Sequence, residues 1–408
     1  MKYELLKEAV ATHETPLYIY DETAFTKRFQ YMRKEIGPRM ELTYSMKANP
    51  YLTKIASTMA SRIEVCSYGE FLITRELGIA PEKLLISGVL KRHDDIMDIV
   101  SYGRDEALYT AESAHQYELL EEAGKRYGLV LPVLLRLSSG NQFGMDQDTI
   151  LKLVLNRDEM KHVHIVGLHY FSGTQKKNLK KIEKELTKLD LFLAEIYERC
   201  DYTMSMLEYG TGFGVPYFMD QEEGVTAPES MAEFRGLVDH MDFTGDITVE
   251  MGRALTFNAG TYITTILDQK TTGKSHYCIL DGGMHQINYD GQMKGMYVPH
   301  IQVISGNVDH VETSLDATSD EADDENLTSY TLCGSLCTGN DVLVGNFKAK
   351  KLSIGDALAF ERTGAYSLHE GMSNFLSHEL PEILFYNEET GFRSVRERRE
   401  SYPFNMAK

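Results

Sequence analysis

Cysteine, long apolar runs and basic residues are all scarce in this chain of 408 residues. The five cysteines show no metal-ligand spacing, which predicts reduced thiols in a cytoplasmic protein and no metal site. No apolar run approaches the roughly 18 residues of a transmembrane helix, and the N-terminus lacks the apolar core of a signal peptide. The net charge of −19 argues against nucleic acids and membranes as partners.

The first two thirds of the chain alternate short apolar runs with helical patterns. Strand candidates lie at 41–48, 62–67, 83–88, 106–110, 130–137, 163–170, 205–209 and 246–250. Eight strands, each followed by helical sequence, predict a (β/α)8 TIM-like barrel over residues 25–255. A doubly wound open sheet is the alternative on pattern alone.

The remaining sequence has a different texture, rich in Thr, Tyr, Ile and Val and broken by Gly. Strand candidates there are Tyr262–Asp268, His276–Leu280, Tyr330–Leu332 and Ala357–Phe360. We assign residues 256–408, with the N-terminal residues 1–24, to a C-terminal β domain. Its segment 316–325 carries six acidic residues and no basic one, which is more typical of a solvated loop than of a metal site.

The segment Glu41–Pro50 delivers one lysine, Lys47, at the end of its strand candidate and then stops at an Asn-Pro turn signal. A lysine at the end of a buried strand lies in a low dielectric, which lowers its pKa. That state suits a Schiff base with pyridoxal phosphate (PLP). A lysine that only extends from the strand end to solvent is the other interpretation.

Three later strand ends carry residues suited to a cofactor. After the sixth strand, Phe171 could lie against a planar ring and Thr174 could donate to a phosphate, although an aromatic there is also typical of a core. The glycines of Gly210-Thr211-Gly212 after the seventh strand allow backbone N–H groups to approach an anion, or simply make a turn.

The eighth strand ends in Glu250-Met251-Gly252-Arg253. A carboxylate beside a pyridine nitrogen keeps that nitrogen protonated. A structural ion pair between Glu250 and Arg253 is the other interpretation. In the β domain, Cys333 and Cys337 form a CxxxC pattern without a second ligand pair, so we expect no metal there.

Ten motifs, in order, resemble the fold-type III PLP-dependent amino-acid decarboxylases, which include diaminopimelate and ornithine decarboxylases. They are YSMKANP, EVCSYGEF, LLISG, FGMD, GLHYFSGTQ, GTGFG, EMGR, DGGM, CGSLCTGND and GAY. The similarity extends over about residues 15–385. It implies a PLP-dependent carboxy-lyase that acts as a homodimer with shared active sites.

The resemblance also implies roles for individual residues. Lys47 carries PLP as a Schiff base, Glu250 pairs with the pyridine nitrogen, and Cys337 reaches across the dimer interface to return a proton after carbon dioxide leaves. The implied cofactor-binding residues are Lys47, Phe171, Thr174, Gly210, Thr211, Gly212, Glu250, Arg253 and Tyr366. The implied substrate-binding residues are Arg253, Thr338, Tyr289 and Phe375.

Several positions depart from the family pattern. Phe171 replaces the histidine that stacks on the PLP ring, Thr211 replaces a glycine, and Met251 replaces a proline. Thr338 stands where diaminopimelate decarboxylases have Glu and ornithine decarboxylases have Asp, each a counter-ion for a distal ammonium. An arginine that diaminopimelate enzymes place soon after DGGM is missing, with Tyr289 near that position.

Thr338 and Phe171, together with FGMD, FSGTQ and GFGVPYF, resemble the butirosin-pathway decarboxylase subgroup, which acts on a γ-glutamyl group tethered to an acyl carrier protein. We therefore expect a substrate without a free distal ammonium, either carrier-tethered or of the siderophore-intermediate type, in a biosynthetic pathway. The alternatives are a diaminopimelate or basic amino-acid decarboxylase, an amino-acid racemase, and an inactive PLP-binding regulator.

Overall fold

The computed structural model describes residues 1–289, 295–305 and 327–407, and the backbone of 312–313. The chain divides into two compact units. The barrel unit comprises residues 28–215 and 223–255, and the β unit comprises residues 1–27, 216–222 and 256–408. The acidic segment 316–325 lies outside the described residues.

Eight parallel strands of the barrel unit close into a barrel in chain order, which confirms the predicted (β/α)8 architecture and excludes the open sheet. With β1 (Leu17–Asp21) in the β unit, the barrel strands are β2 (Met40–Ser45), β3 (Arg62–Val65), β4 (Leu84–Ile86), β5 (Leu108–Ala111), β6 (Leu131–Leu137), β7 (Val163–Phe171), β8 (Met206–Gly210) and β9 (Asp246–Met251). The helices are α1 (Tyr3–Thr12), α2 (Glu22–Ile36), α3 (Thr53–Ala56), α4 (Tyr68–Glu76), α5 (His93–Gly103), α6 (Ala114–Tyr127), α7 (Gln147–Leu155), α8 (Leu179–Cys200), α9 (Pro228–Asp239) and α10 (Arg253–Thr256).

The strand-to-helix turns of the barrel carry local stop and start signals. The side chains of Ser67, Ser113 and Asp146 accept hydrogen bonds from the third residue beyond them and so cap α4, α6 and α7. Strands β2, β5 and β6 are buried along almost their whole length, as expected of a parallel sheet covered by helices. Each strand therefore ends abruptly, and its last side chains lie at one rim of the barrel.

The β unit contains one ten-stranded sheet. Its strands besides β1 are β10 (Gly260–Thr272), β11 (Ser275–Leu280), β12 (Ile301–Ile304), β13 (Glu312–Thr313), β14 (Thr328–Cys333), β15 (Val342–Ala349), β16 (Ala357–Glu361), β17 (Glu382–Asn387) and β18 (Gly391–Arg396). N-terminal strand β1 lies between β10 and β17 and pairs in parallel with β17. Leu6 and Ala9 of α1 pack into the core of this unit with Leu17, Ile19 and Ile263.

Short 3₁₀ turns connect several of these elements, at Met46–Ala48, Pro50–Leu52, Pro81–Lys83, Arg157–Glu159, Gly224–Thr226, Phe257–Ala259, Phe375–Ser377 and Tyr402–Phe404. All five cysteines are free thiols. Within the described part of the chain, no helix has the length and apolarity to span a membrane. The same residues contain no cluster of three or more His, Cys, Asp or Glu side chains arranged to hold a metal.

Candidate active site

Strand pairing places four of the barrel strands in one register at the rim. Phe171 of β7 is opposite Gly210 of β8, Gly210 is opposite Glu250 of β9, and Glu250 is opposite Thr43 of β2. Lys47 follows two residues after the end of β2. The carboxyl ends of four adjacent strands thus bring together an amine, an aromatic ring, a glycine and a carboxylate, at the rim where barrel enzymes bind their substrates.

Lys47 lies in the one-turn helix Met46–Ala48 and not in the strand, because β2 ends at Ser45. Asn49 fixes the turn that follows: its side chain accepts a hydrogen bond from the backbone N–H of Tyr51, at 3.1 Å. The side chain of Lys47 is 38 % exposed, so it is less buried than the sequence predicts.

The Lys47 ammonium pairs with Glu64, a residue of β3 that sequence reasoning did not single out. Its Nζ lies 2.9 Å from both carboxylate oxygens of Glu64 and 3.3 Å from Cys66 Sγ. Glu64 also accepts a hydrogen bond from Ser87 Oγ at 2.9 Å. Although burial acts to raise it, the pKa of Glu64 is held below its ordinary value by the charge of Lys47 and by hydrogen bonds.

Glu250 lies at the end of β9 and is 6 % exposed. Nε2 of His169, on β7, lies 3.2 Å from Oε1 and 3.4 Å from Oε2 of this carboxylate. Glu250 therefore has the His169 ring on one side, and its carboxylate remains an acceptor for a further donor. Such a carboxylate suits a protonated pyridine nitrogen.

A second buried carboxylate, Glu208 of β8, lies two residues before Gly210 of the rim, opposite His169 and Thr248. It is fully buried, and neither of its oxygens has a hydrogen-bond partner among the described residues. Burial, with the negative charge of Glu250 adding to it, raises the pKa of Glu208 well above its ordinary value.

The loops after β7 and β8 contain the predicted phosphate ligands. Thr174 Oγ1 accepts a hydrogen bond from Arg253 Nε at 3.3 Å. Gly212 adopts a φ of +61°, and a Cβ there would lie 2.0 Å from the carbonyl oxygen of Gly173, so this position requires glycine. A Cβ on Gly210 would lie 2.6 Å from Cδ2 of Phe171, so the ring of Phe171 fills the space above that glycine.

Thr211, between these glycines, faces inward. Its hydroxyl is buried and donates to the backbone carbonyl of Glu250 at 3.3 Å. This bond ties the loop after β8 to the end of β9. The backbone N–H of Thr211 donates to the same carbonyl at 3.4 Å, so both donors of Thr211 are engaged by the chain.

The other predicted site residues belong to the β unit. Cys337 is exposed and Thr338 is half-buried. Tyr366 has a φ of +65° and follows Gly364, where a Cβ would lie 1.8 Å from the carbonyl oxygen of Thr256. The Gly-Ala-Tyr turn therefore depends on glycine to approach the preceding chain this closely.

Tyr289 and Phe375, the remaining predicted substrate residues, differ sharply in exposure. Tyr289 is 5 % exposed, and its hydroxyl donates to the backbone carbonyl of Glu361 at 2.6 Å. Phe375 is 43 % exposed in the turn Phe375–Ser377. The Tyr289 hydroxyl is thus occupied within the chain, whereas the Phe375 ring presents apolar surface.

The rim residues of the barrel fit an aromatic aldehyde that carries a phosphate. The Lys47 amine suits the aldehyde, Glu250 suits a ring nitrogen, and the glycine loop with Thr174 and Arg253 suits the phosphate. The parallel barrel and this donor set define the class of protein: a PLP-dependent enzyme.

Comparison with known proteins narrows the class. Residues 22–257 match the model of the pyridoxal-dependent decarboxylase family, pyridoxal binding domain. This match extends over more than half of the chain, so the chain belongs to the pyridoxal-dependent decarboxylase family, as the motifs predicted. It is a PLP-dependent lyase.

Three relatives illustrate the range of the family. The chain is 26 % identical over 403 residues to the L-glutamyl-[BtrI acyl-carrier protein] decarboxylase of Niallia circulans, a match that covers 92 % of this chain and 89 % of that protein. It is 25 % identical over 398 residues to the 2-[(L-alanin-3-ylcarbamoyl)methyl]-2-hydroxybutanedioate decarboxylase of Staphylococcus aureus, with 92 % and 95 % covered. It is 23 % identical over 422 residues to the diaminopimelate decarboxylase of Methanocaldococcus jannaschii, with 97 % and 91 % covered.

The crystal structure of the M. jannaschii enzyme with L-lysine superposes with a TM-score of 0.81 and 21 % identity. The superposition covers 96 % of this chain and 92 % of that one. This likeness confirms the fold, a barrel together with a β domain.

Sequence reasoning missed Glu64, His169, Lys176 and Glu185 as site residues. All four are charged or polar residues that are buried in the barrel unit, on β3, on β7, in the loop after β7 and on α8. Polar residues at such positions need partners, and this was the available signal. Their partners come from other strands, so the sequence alone did not indicate which residues meet.

Proposed function

We propose that this PLP-dependent decarboxylase acts on an L-α-amino acid whose distal end carries no free ammonium. A glutamyl group on an acyl carrier protein, or an amino acid with a distal amide, has the required chemistry. The observation that carries the proposal is the loop between Cys333 and Asp341. In this loop a threonine follows the proposed catalytic cysteine, and the only acid is already occupied.

That acid is Asp341, which is 2 % exposed. Its Oδ1 accepts a hydrogen bond from the backbone N–H of Met284 at 2.8 Å, and its Oδ2 accepts one from the backbone N–H of Leu336 at 2.8 Å. Both oxygens thus hold the backbone of this unit. This arrangement supports the view that Asp341 does not serve as counter-ion for a substrate ammonium.

Thr338 offers only a neutral hydroxyl, which accepts a hydrogen bond from the backbone N–H of Asn340 at 3.4 Å. A desolvated ammonium without a counter-charge costs several kcal/mol. The names of two relatives support the same substrate class, because an L-glutamyl group on an acyl-carrier protein and an alanin-3-ylcarbamoyl group both lack a distal ammonium. The diaminopimelate decarboxylase relative supports the alternative class.

The proposed division of labour follows from where the residues lie. When bound, PLP supplies an electron sink for the electron pair of the breaking carbon–carbon bond. Lys47 provides the amine that holds the cofactor, and Glu64 orients its Nζ. Glu250 holds a proton at the ring nitrogen, and His169 orients Glu250 in turn.

The proton that replaces the lost carboxylate needs a separate acid, for which we propose the Cys337 thiol. We infer that two copies of the chain form a homodimer in which Cys337 of one copy completes the site of Lys47 in the other. The five free thiols support a reducing, cytoplasmic setting.

A substrate panel tests the proposal. Release of carbon dioxide is measured from lysine, ornithine, diaminopimelate, γ-glutamyl amides and glutamyl groups on acyl carrier proteins. We expect turnover of the amide or carrier-linked compounds and poor turnover of the three diamino acids. Efficient turnover of any free diamino acid would contradict the proposed substrate class while leaving the decarboxylase family intact.

A further inference from the structure

The loops after β7 and β8 meet above a buried ion pair that the proposed reaction does not use. Lys176, in the loop after β7, has a side chain that is 1 % exposed, and its Nζ lies 2.6 Å from Glu185 Oε2 on α8. Glu185 has a side chain that is 7 % exposed. Charges buried this deeply are costly unless they are paired and hydrogen-bonded.

Glu185 receives hydrogen bonds from the loop after β7 and from strand β8. Oε1 accepts from Ser172 Oγ, at the start of the loop after β7. Oε2 accepts from the Tyr209 hydroxyl at 2.6 Å, just before Gly210. Lys176 Nζ lies a further 3.4 Å from that hydroxyl. One carboxylate therefore ties together Ser172, Lys176 and Tyr209, which surround the proposed phosphate ligands in sequence.

The backbones of the two loops are joined at the same place. The N–H of Lys176 donates to the carbonyl of Gly212 at 2.9 Å, and the N–H of Gly214 donates to the carbonyl of Lys176 at 3.0 Å. A Cβ on Gly212 would lie 3.3 Å from Cε of Lys176, so the lysine stem packs directly beneath this glycine.

We propose that Lys176 and Glu185 are positioning residues for the cofactor phosphate: they fix the relative register of the two loops that carry Thr174, Gly210 and Gly212. Lys176 does not contact the phosphate in this role, since its ammonium is buried against Glu185 and Tyr209. It acts through Gly212, which it supports from below. The inference rests on the proposed assignment of these loops to the phosphate.

The test compares two probes that differ only in the phosphate. The full-length protein is stripped of cofactor and titrated with PLP and with pyridoxal. In Lys176→Met we expect PLP affinity to fall by about tenfold or more, the effect seen when outer partners of metal ligands are removed, and pyridoxal affinity to change little. In the reconstituted variant, the phosphorus resonance of bound PLP should shift or broaden.

Lys177→Met is the matched control, because Lys177 is the next residue and is exposed. It should leave both affinities and the phosphorus resonance unchanged. The double variant Lys176→Met with Glu185→Leu replaces both buried charges by apolar side chains. Because neither charge is left unpaired, we expect this variant to fold. It should show the same loss of preference for PLP over pyridoxal.

Equal losses for PLP and pyridoxal, or no loss for either in the folded double variant, would overturn the inference. Thr174→Val separates this failure from failure of the phosphate assignment. If Thr174→Val lowers the preference for PLP and Lys176→Met does not, only the positioning role is wrong. If neither substitution lowers it, the assignment of Thr174 to the phosphate is wrong as well as the positioning role.

Discussion

Two buried carboxylates of the barrel unit, Glu64 and Glu185, bind side chains, whereas two of the β unit, Asp341 and Asp356, bind backbone. Glu64 accepts from Lys47 and Ser87, and Glu185 accepts from Lys176 and Tyr209. In the β unit, Asp341 accepts from two backbone N–H groups, and Asp356 accepts from the backbone N–H of Ser353 at 2.8 Å.

This difference indicates what each unit contributes. A carboxylate that binds backbone fixes the path of a loop, because it satisfies donors that no sheet partner reaches. A carboxylate that binds an amine, a hydroxyl or a ring orients groups that can take part in chemistry. Substitutions of Glu64 or Glu185 should therefore alter reactivity, and substitutions of Asp341 or Asp356 should alter stability.

The largest effect should come from the amine at the barrel rim. Lys47→Ala removes the group that holds the cofactor, so decarboxylation should fall by about 10⁴-fold or more, equivalent to about 5.5 kcal/mol of transition-state stabilisation. Borohydride should then fix PLP to the wild-type peptide that contains Lys47 and to no peptide of the variant. Lys54→Ala, an exposed lysine of α3, is the control. Borohydride labelling of a different peptide in the wild type would show that the assignment is wrong.

The second effect tests whether the reactive groups of the two units come from different copies of the chain. Lys47→Ala and Cys337→Ala should each be inactive alone, and mixing them should restore up to about a quarter of the activity. That fraction follows from random exchange in a symmetric dimer, where half of the dimers are mixed and each mixed dimer has one intact site. Absence of recovery, with exchange demonstrated by a tag on one variant, would mean that each site is built from one chain.

Much of the barrel could be predicted because its signals are local. The predicted strand 205–209 is β8 at Met206–Gly210, and the predicted strand 246–250 is β9 at Asp246–Met251. The strand predicted at 41–48 ends earlier, at Ser45. The prediction was too long because Met46 and Ala48 are buried in the 3₁₀ turn and so extend the apolar pattern beyond the strand. Periodicity reports burial, and burial does not distinguish a strand from a tight turn.

The β unit and the partners within the site were harder to predict. Strand β1 pairs with β17, about 365 residues away, and no local signal specifies such a pairing. The pair of His169 with Glu250 and the pair of Lys176 with Glu185 depend on which strands and helices become neighbours. Sequence motifs identified Lys47, Glu250 and Arg253, whose roles remain predictions; their supporting residues became visible only in the fold.

The third prediction concerns substrate choice in the β unit. Thr338→Asp or Thr338→Glu restores a carboxylate after Cys337, and charge-assisted hydrogen bonds contribute about 1.5–3 kcal/mol. The ratio of kcat/KM for diamino acids over glutamyl amides should therefore rise by roughly tenfold to over a hundredfold. Thr338→Asn, which adds a polar group without charge, is the control. An unchanged ratio would indicate that Thr338 only packs in the loop.

The fourth prediction tests the structural use of carboxylates in the β unit. Asp341→Asn replaces one of two acceptor oxygens by an amide donor that faces a backbone N–H, so the free energy of unfolding should fall by about 1–3 kcal/mol. Asp268→Asn is the matched control, because this exposed residue accepts a single backbone bond, from Gln269 at 2.9 Å. Denaturant titration measures both variants. Equal free energies of unfolding for the two variants would contradict a structural role of the Asp341 carboxylate in the β unit.

The last effect depends on pH and concerns Glu208, a buried acid of the barrel unit that has no hydrogen-bond partner among the described residues. Its pKa in the folded chain is raised, whereas the unfolded chain has the ordinary value of about 4.3. Above that pH the native state binds the extra proton, so this group lowers stability as the pH rises. The glutamine side chain of Glu208→Gln cannot lose a proton. The free energy of unfolding of this variant, relative to that of the wild type, should therefore rise between pH 5 and 7 by up to about 1.4 kcal/mol per pH unit. Denaturant titration at several pH values measures this gain, and Glu118→Gln, at an exposed position, is the control. If the free energies of unfolding of the wild type and of Glu208→Gln changed with pH in parallel, Glu208 would already be ionised in the folded chain, and Glu250 would not set its charge.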